Sequence, residues 1–336
     1  MPAFRCPNPD CRAEVAPSDQ YCEECGQAIP PGHHRAWDES LEVGGVPAAA
    51  VRTPTSNGGR PRQAQETRGP SRVRDHVELS LPGVAAVSDR GLERSRNEDA
   101  VRLGQVAAPG ATIIVVCDGV SSSQSPARAS QAAADATIAA LTMTLEAEKR
   151  GLELSMKEAV AAAWAAVSAI PHQPWQGKDP PSSTLVAAAI TQGQVTIGWV
   201  GDSRAYFVGR AGTWQLTSDD TWAAEQVARG QLSEREAARD PRSRYLTRWI
   251  GRDQENPLAS SVRSFEIEWP GFVLLCTDGL WNYLDTTEAL GEMVLGFGED
   301  EAPITVARAL TEFAREAGGH DNITVAVSRA ASGRGW

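Results

Sequence analysis

The stretch IIVVCDGVSSSQSPARAS, residues 113–130, places an apolar, β-branched run directly before the acid Asp118. A glycine and three serines separate that acid from an alanine-rich segment with helical spacing. The run predicts a strand buried on both faces, because short β-branched runs are typical of such strands. A buried strand that ends on a carboxylate needs something to neutralise the charge.

Acids stand at strand ends elsewhere in the chain. Apolar runs precede Asp202 in TIGWVGD and Asp278 in VLLCTD, whereas Asp321 precedes the apolar run ITVAV. Glu98 and Asp99 precede another short strand in RSRNEDAV. A single Asp-Gly is most often a turn. The recurrence of acids at strand ends instead favours one shared site.

Carboxylates that are brought together repel one another and need a counter-charge. Mg²⁺ and Mn²⁺ supply that charge and prefer oxygen ligands. Between residues 79 and 329 the only histidines are His172 and His320, so a zinc site rich in histidine is not expected there. Two such cations near each other suit in-line attack on phosphorus.

Composition narrows the class of protein. The chain has 336 residues and a formal net charge of −11, which argues against a nucleic-acid surface. It has no apolar run of about 18 residues, and its first residues lack a secretory pattern, so we expect a cytoplasmic protein without a membrane segment. We predict three regions: a cysteine-rich segment (1–30), a flexible linker rich in Pro, Gly and polar residues (31–78), and a globular domain (79–330).

The globular region predicts an α+β fold. Short glycine-containing turns such as TQGQ and VGRAGTW indicate antiparallel hairpins. Ser233-Glu-Arg-Glu236 forms a capping box, which marks a helix start. Strict βαβ alternation is absent, which favours antiparallel sheets covered by helices. Helices are predicted over 124–149, 152–170, 221–230, 233–239, 286–295 and 303–317.

Four of the six cysteines are concentrated near the N-terminus, at Cys6, Cys11, Cys22 and Cys25. Two pairs separated by a short loop can bind zinc tetrahedrally. Two structural disulfides are the alternative, but a segment too short for its own core favours zinc. Residues 1–30 are therefore predicted to form a small zinc-ribbon-like segment. Cys117 and Cys276 end apolar strands and are expected to be small buried hydrophobes.

The motifs resemble, in order, those of the metal-dependent Ser/Thr protein phosphatases of type 2C, the PPM family. The resemblance covers roughly residues 83–329. The matching motifs are RGLERSRNEDA (90–100), VVCDGVSSSQSPARAS (115–130), SSTL (182–185), GWVGDSRAY (198–206), LTSDDTW (216–222), GQLSEREAARDPRSRYLTRWIG (230–251), LLCTDGLW (274–281) and GGHDNIT (318–324).

The resemblance implies a four-layer α/β/β/α sandwich of two antiparallel sheets, with a di-metal site between the sheets at one edge. Asp118 would bridge two Mn²⁺ or Mg²⁺ ions, and the Gly119 carbonyl would bind one of them. Asp278 and Asp321 would complete the ligands of the other ion.

The remaining site residues have implied roles around these ions. Glu98 and Asp99 would hold metal-bound waters, and Asp202 would belong to a third, weaker metal site that includes Asp278. Arg94 would pair with the substrate phosphate, because a planar donor fork suits its oxygens. Residues 221–251 would form a flap that helps to choose substrates.

The implied function is hydrolysis of phosphoserine and phosphothreonine in proteins by a metal-bound hydroxide, without a covalent intermediate. The implied partners are phosphorylated proteins and a cognate Ser/Thr kinase, with no nucleic acid and no membrane, and we expect a monomer. A catalytically inactive binding module is the alternative. A zinc-ribbon nucleic-acid binder is disfavoured by the acidic balance.

The chain departs from the family pattern at one loop. Bacterial members read Asp-Gly-Met-Gly-Gly-His where this sequence has Asp118-Gly-Val-Ser-Ser-Ser123. These serines lie outside the implied ligand set and are expected to reshape the loop and bond metal waters. Ser182-Ser183 replaces Gly-Thr, and Asp220 replaces a common histidine. His320 is the one nearby candidate proton donor, with an exposed turn histidine as the alternative reading.

Overall fold

The computed structural model describes residues 4–5, 14–15, 75–107, 110–147, 151–173, 178–254, 261–284, 286–298 and 300–332. The chain divides into two units, Met1–Val73 and Arg74–Trp336. In the first unit, β1 (Phe4–Arg5) pairs antiparallel with β2 (Glu14–Val15). The predicted zinc ligands Cys6, Cys11, Cys22 and Cys25 lie outside the described residues, as does nearly all of the predicted linker.

The second unit contains the elements that position the predicted site. They are, in chain order, β3 (His76–Leu81), β4 (Val84–Asp89), β5 (Asp99–Val106), β6 (Ala111–Asp118), α1 (Pro126–Glu146), α2 (Leu152–Ser168), β7 (Ser182–Ser183), β8 (Leu185–Thr191), β9 (Gln194–Val200), β10 (Arg204–Gly209), β11 (Gly212–Gln215), α3 (Trp222–Ala228), α4 (Glu234–Ala237), β12 (Ile250–Gly251), β13 (Ser261–Glu266), β14 (Gly271–Cys276), α5 (Asp278–Trp281), α6 (Thr287–Gly296), α7 (Pro303–Glu316) and β15 (Ile323–Ala330).

Two antiparallel sheets form the centre of this unit. The larger has six strands in the order β11-β10-β14-β15-β4-β3, and the smaller has five in the order β13-β9-β8-β6-β5. All strand pairs in both sheets are antiparallel. The α+β prediction with two antiparallel sheets is therefore confirmed.

Three clusters of apolar side chains pack between the sheets and helices. Side chains such as Ile114, Trp199 and Leu275 lie between the two sheets. A second cluster packs α1 and α2 against the five-stranded sheet, and a third packs α6 and α7 against the six-stranded sheet. The order is therefore helix, sheet, sheet, helix. The central strands are covered on both faces, which explains their nearly continuous apolar runs.

The sequence analysis missed one outer strand of each sheet. Strands β3 and β13 are edge strands whose residues are exposed or half-buried, so they lack the continuous apolar runs by which the buried strands were predicted. In the second unit, β3 begins at His76, whereas the predicted domain begins at Leu79.

Two helices begin at residues with recognisable sequence signals for a helix start. The capping box at Ser233 is present, with Ser233 accepting from the Glu236 amide and Glu236 accepting in return. Helix α1 begins at Pro126 rather than at the predicted residue 124. Proline suits the first helical position because its missing N–H would have no partner there.

Within the described ranges, the helices are too short or too polar to span a membrane.

Candidate metal centre

The five-stranded sheet brings two acids face to face. Strand β6 ends at Asp118 and the adjacent strand β5 begins at Asp99, and the antiparallel register pairs these two residues directly. Like charges in directly opposed positions destabilise a sheet. The arrangement therefore needs a compensating cation or proton.

The six-stranded sheet contributes acids at the same edge. Asp278 follows β14, Asp321 lies shortly before β15, and Asp202 lies shortly before β10. The register pairs Cys276 at the end of β14 with both Arg204 and Val325, so these strand ends meet. Acids that are distant in sequence are thus gathered where the two sheets end.

Two threonines connect the sheets through Asp99. The Asp99 carboxylate accepts hydrogen bonds from Thr277 Oγ1 at 2.9 Å and from Thr324 Oγ1 at 2.7 Å. Both threonines are fully buried, and Asp99 is 6% exposed. Sequence reasoning did not single out these threonines, although each lies close to a predicted acid.

Burial and mutual repulsion raise the pKa of four of these acids. Burial is the main cause of the raised pKa of Asp118, followed by the charges of Asp99, Asp278, Asp321 and Asp202. Burial raises the pKa of Asp99 to about 7 and that of Asp202 to about 8. The pKa of Asp278 rises to about 6 through burial and the charge of Asp321.

The donor set fits a hard divalent cation. Oδ1 of Asp99 and Oδ1 of Asp278 are buried without a hydrogen-bond partner, and a buried unpaired oxygen is costly unless something satisfies it. A divalent ion would satisfy these oxygens and offset the repulsion that raises the pKa values.

The side chains as they stand do not yet form a ready ligand set. Among the described residues, no three His, Cys, Asp or Glu side chains are arranged as a group that could hold a metal ion. Asp321 Oδ2 instead contacts Arg94 Nη2 at 2.6 Å, and Asp278 Oδ2 accepts from Asn282. The individual ligand roles of Asp118, Asp278 and Asp321 therefore stay predictions.

Gly119 is required by close backbone packing. A Cβ on this residue would lie 2.5 Å from the Pro126 backbone and 2.9 Å from the Glu98 carbonyl oxygen. The Gly119 amide donates to that same carbonyl. The glycine beside the acid thus lets the start of α1 and the Glu98 segment approach Asp118, a reason independent of any carbonyl ligand.

Arg94 lies at the centre of a polar network at this edge. Its guanidinium bonds Asp321 at 2.6 Å and donates to Ser121 Oγ at 3.2 Å, and Ser121 in turn donates to Glu98 at 3.0 Å. The Arg94 side chain is 39% exposed. It is therefore both anchored to the acids and open to a ligand.

Asn322 fixes the segment that bears Glu98. Its Oδ1 accepts from the Glu98 amide, and its Nδ2 donates to the carbonyls of Arg90 and Arg96. The residue is 3% exposed. The sequence analysis did not single out Asn322, although it directly follows the predicted site acid Asp321 in GGHDNIT.

His320 fits the exposed-turn reading. Its side chain is 65% exposed, and its Nδ1 lies 2.6 Å from Glu93 Oε1. Its backbone amide donates to the Tyr283 hydroxyl.

Asp220 and the serines before β8 contact the segment 221–251, which the sequence predicts to be a flap. Asp220 bonds the Gly201 amide and Arg248. Strand β7, formed by Ser182–Ser183, pairs with β12 at the end of the flap segment. Departures from the family pattern at these positions thus have structural roles.

A separate cavity of about 430 Å³ lies away from the acids, beside the edge strands β11 and β13. Its walls include Trp214, Phe265 and Trp269, and none of the clustered acids lines it.

Comparison with known proteins agrees with this geometry. A family model for protein phosphatase 2C matches residues 92–313. The serine/threonine phosphatase stp of Listeria monocytogenes is 35% identical over 146 residues, which cover 43% of this chain and 54% of that protein. The chain therefore spans about half the length of this relative.

Two solved structures share the fold. The serine/threonine phosphatase of S. agalactiae is 26% identical, with a TM-score of 0.62 over 74% of this chain and 98% of that chain. The catalytic domain of PstP, a phosphatase of Mycobacterium tuberculosis, was solved with two manganese ions. It is 27% identical, with a TM-score of 0.58 over 74% of this chain and 97% of that chain.

Removing the charge of Asp118 should raise the thermal stability of the metal-free protein and weaken its metal binding. In EDTA, Asp118→Asn should raise the thermal midpoint by at least about 2 °C, equivalent to about 1 kcal/mol in a domain of this size, because a repelled buried charge is lost. Calorimetric titration should show Mn²⁺ binding weakened by at least about tenfold. Glu292→Gln, an exposed acid on α6, is the control and should change neither. A destabilised Asp118→Asn protein with unchanged Mn²⁺ affinity would contradict the assignment.

The free energy of unfolding of the metal-free protein should fall as pH rises. The raised pKa values of Asp99, about 7, and Asp202, about 8, mean that the folded state binds more protons than the unfolded state above about pH 4. This contribution is complete below about pH 4 and is lost as pH rises through the folded pKa values. Glu78 and Asp240, with pKa values lowered to about 2, titrate below this window.

Urea unfolding in EDTA between about pH 5 and about pH 8.5 measures this trend. Excess Mn²⁺ should reverse it, because the cation binds the ionised carboxylates. Stability in EDTA that rises across this range would show that the acids are not mutually repelled.

Proposed function

Because the chain belongs to the protein phosphatase 2C family, we propose that residues 79–330 form a metal-dependent phosphatase acting on phosphoserine and phosphothreonine in proteins. The principal support is the set of buried acids gathered beside one half-exposed guanidinium, Arg94. Relatives named serine/threonine phosphatase, one of them solved with two manganese ions, support the same activity.

The proposed cofactors are two Mn²⁺ or Mg²⁺ ions, with a third at a weaker site. Bound there, the ions would supply Lewis acidity and lower the pKa of water at the site. Asp118 and the Gly119 carbonyl would hold the first ion, and Asp118, Asp278 and Asp321 the second. Glu98 and Asp99 would act through water, and Asp202 would share the third site with Asp278.

Arg94 is proposed to bind the substrate phosphate. Its planar donor fork can bond two phosphate oxygens at once. In the structure its Nη2 contacts Asp321, so we expect Asp321 to exchange this guanidinium for a cation when the ligands assemble. Arg94 is then free to pair with the phosphate that arrives beside it.

The proposed transfer goes directly to water. Cys117 and Cys276 are fully buried, and burial raises the pKa of both thiols, so neither can supply a thiolate. His320 lies on an exposed turn beside Glu93. We therefore propose water as the proton source for the departing serine or threonine oxygen.

The proposed partners are phosphorylated proteins and a cognate Ser/Thr kinase. A cytoplasmic location, a monomeric state and the absence of nucleic-acid binding stay predictions from composition.

Turnover tests the proposed function. Full-length protein should hydrolyse an aryl phosphate and a phosphothreonine peptide with Mn²⁺ or Mg²⁺ and lose this activity in EDTA. Asp118→Asn should reduce turnover to the uncatalysed background, while Glu292→Gln should match the wild type. Robust turnover in EDTA would refute the metal mechanism. Binding of the phosphopeptide without turnover by the wild type would instead establish an inactive binding module.

We also propose that residues 1–30 bind one zinc ion through Cys6, Cys11, Cys22 and Cys25. The support is their spacing and number, which suit tetrahedral thiolate binding. A thiol-blocking reagent should release one zinc per chain to a chromogenic chelator, and the double substitution Cys22→Ser, Cys25→Ser should abolish this release. Cys117→Ser is the control and should leave it unchanged. Two disulfides detected by mass spectrometry without reductant would contradict the zinc proposal.

A further inference from the structure

We propose that Ser121 is a positioning residue that holds Arg94 ready for the substrate phosphate. The Ser121 hydroxyl lies between the two groups it connects: it accepts from Arg94 Nη1 at 3.2 Å and donates to Glu98 Oε2 at 3.0 Å. This inference rests on the proposed function, in which Arg94 binds phosphate. It assigns a role to a serine at a position where bacterial members of the family have glycine.

The loop that bears Ser121 is fixed on both sides. The Val120 amide donates to the Ser182 carbonyl, and the Ser123 amide donates back to the Val120 carbonyl. The Ser182 amide donates to Ser123 Oγ, and Ser123 is fully buried. Its backbone is therefore held before any ligand arrives, which sets the position of the Ser121 hydroxyl.

The three consecutive serines thus occupy different environments. Ser123 is buried and bonds the neighbouring segment, whereas Ser121 and Ser122 are exposed. Ser121 contacts Arg94 and Glu98. The hydrogen bonds of the described residues include none from the Ser122 side chain. Ser122 is therefore a matched control one residue away.

A hydroxyl can make both contacts at once. It has one donor and two acceptor lone pairs, so it can donate to the Glu98 carboxylate while it accepts from the Arg94 guanidinium. Glycine or alanine at this position could make neither contact. Only one of the five N–H donors of Arg94 is used by Ser121, which leaves others for a phosphate.

The second partner of Arg94 explains why positioning matters. In the structure Asp321 holds Nη2 through the 2.6 Å contact, and Ser121 holds Nη1 at the loop. Once Asp321 exchanges the guanidinium for a cation, the Ser121 hydroxyl still orders the long Arg94 side chain, and without that hydroxyl ordering the side chain on a phosphate would cost more entropy. Phosphate affinity should fall, while the carboxylates keep their cation.

The test compares Ser121→Ala with Ser121→Thr and Ser122→Ala in the full-length, Mn²⁺-loaded protein. Loss of one such hydrogen bond should raise KM for a phosphothreonine peptide and the inhibition constant of inorganic phosphate by the same factor, about five- to tenfold. The kcat value and the Mn²⁺ dissociation constant from calorimetry should stay within about twofold of wild type. Ser121→Thr should retain wild-type values, and Ser122→Ala should not differ from wild type.

A double-mutant cycle tests whether Ser121 affects phosphate binding through Arg94. In an Arg94→Ala background, Ser121→Ala should not weaken phosphate binding further, because the hydroxyl acts through the guanidinium. An equal loss in both backgrounds would overturn the proposal. An unchanged phosphate affinity, with only a lower thermal midpoint, would also overturn it and leave Ser121 a structural role.

Failure of the enzyme itself is distinguishable from failure of this inference. Calorimetric titration of inorganic phosphate into the Mn²⁺-loaded wild type and Ser121→Ala measures the positioning role without turnover. Absent turnover with a tighter wild-type phosphate complex would refute the phosphatase activity alone. Normal turnover with equal phosphate affinities would refute the role of Ser121 alone.

Discussion

The mutual repulsion of buried carboxylates is the constraint on which the rest of this domain depends. Asp99 and Asp118 face each other across one sheet, and the acids of the other sheet raise their pKa values further. A fold gains nothing from such a cluster by itself, because each buried charge costs free energy unless it is compensated. The cluster therefore needs a compensating cation or proton.

The surrounding architecture serves to hold these acids at fixed positions. Apolar packing between the sheets and against the helices covers each central strand on both faces, and the acids lie at or next to the ends of these packed strands. Thr277, directly after β14, and Thr324, on β15, donate hydrogen bonds to Asp99 of the five-stranded sheet. Placing a site on strand ends rather than on loops gives it precise geometry.

Polar groups around the acids partly compensate their negative charge and leave the site open to a ligand. Arg94 supplies one positive charge against Asp321, yet it stays partly exposed. Gly119 permits the start of α1 to approach, and Asn322 fixes the segment before Glu98. The same edge can therefore hold cations inside and receive an anionic group from outside.

The sequence by itself determined the strands that end on acids, the α+β class and the helix start at the Ser233 capping box, because apolar runs and capping boxes act over a few residues. Only the tertiary structure identified the edge strands β3 and β13, which lack the continuous apolar runs of the buried strands. It alone distinguished Ser121 from Ser122 and Ser123, and paired Arg94 with Asp321. These roles depend on contacts between residues that are distant in the chain, and local sequence patterns do not predict such contacts.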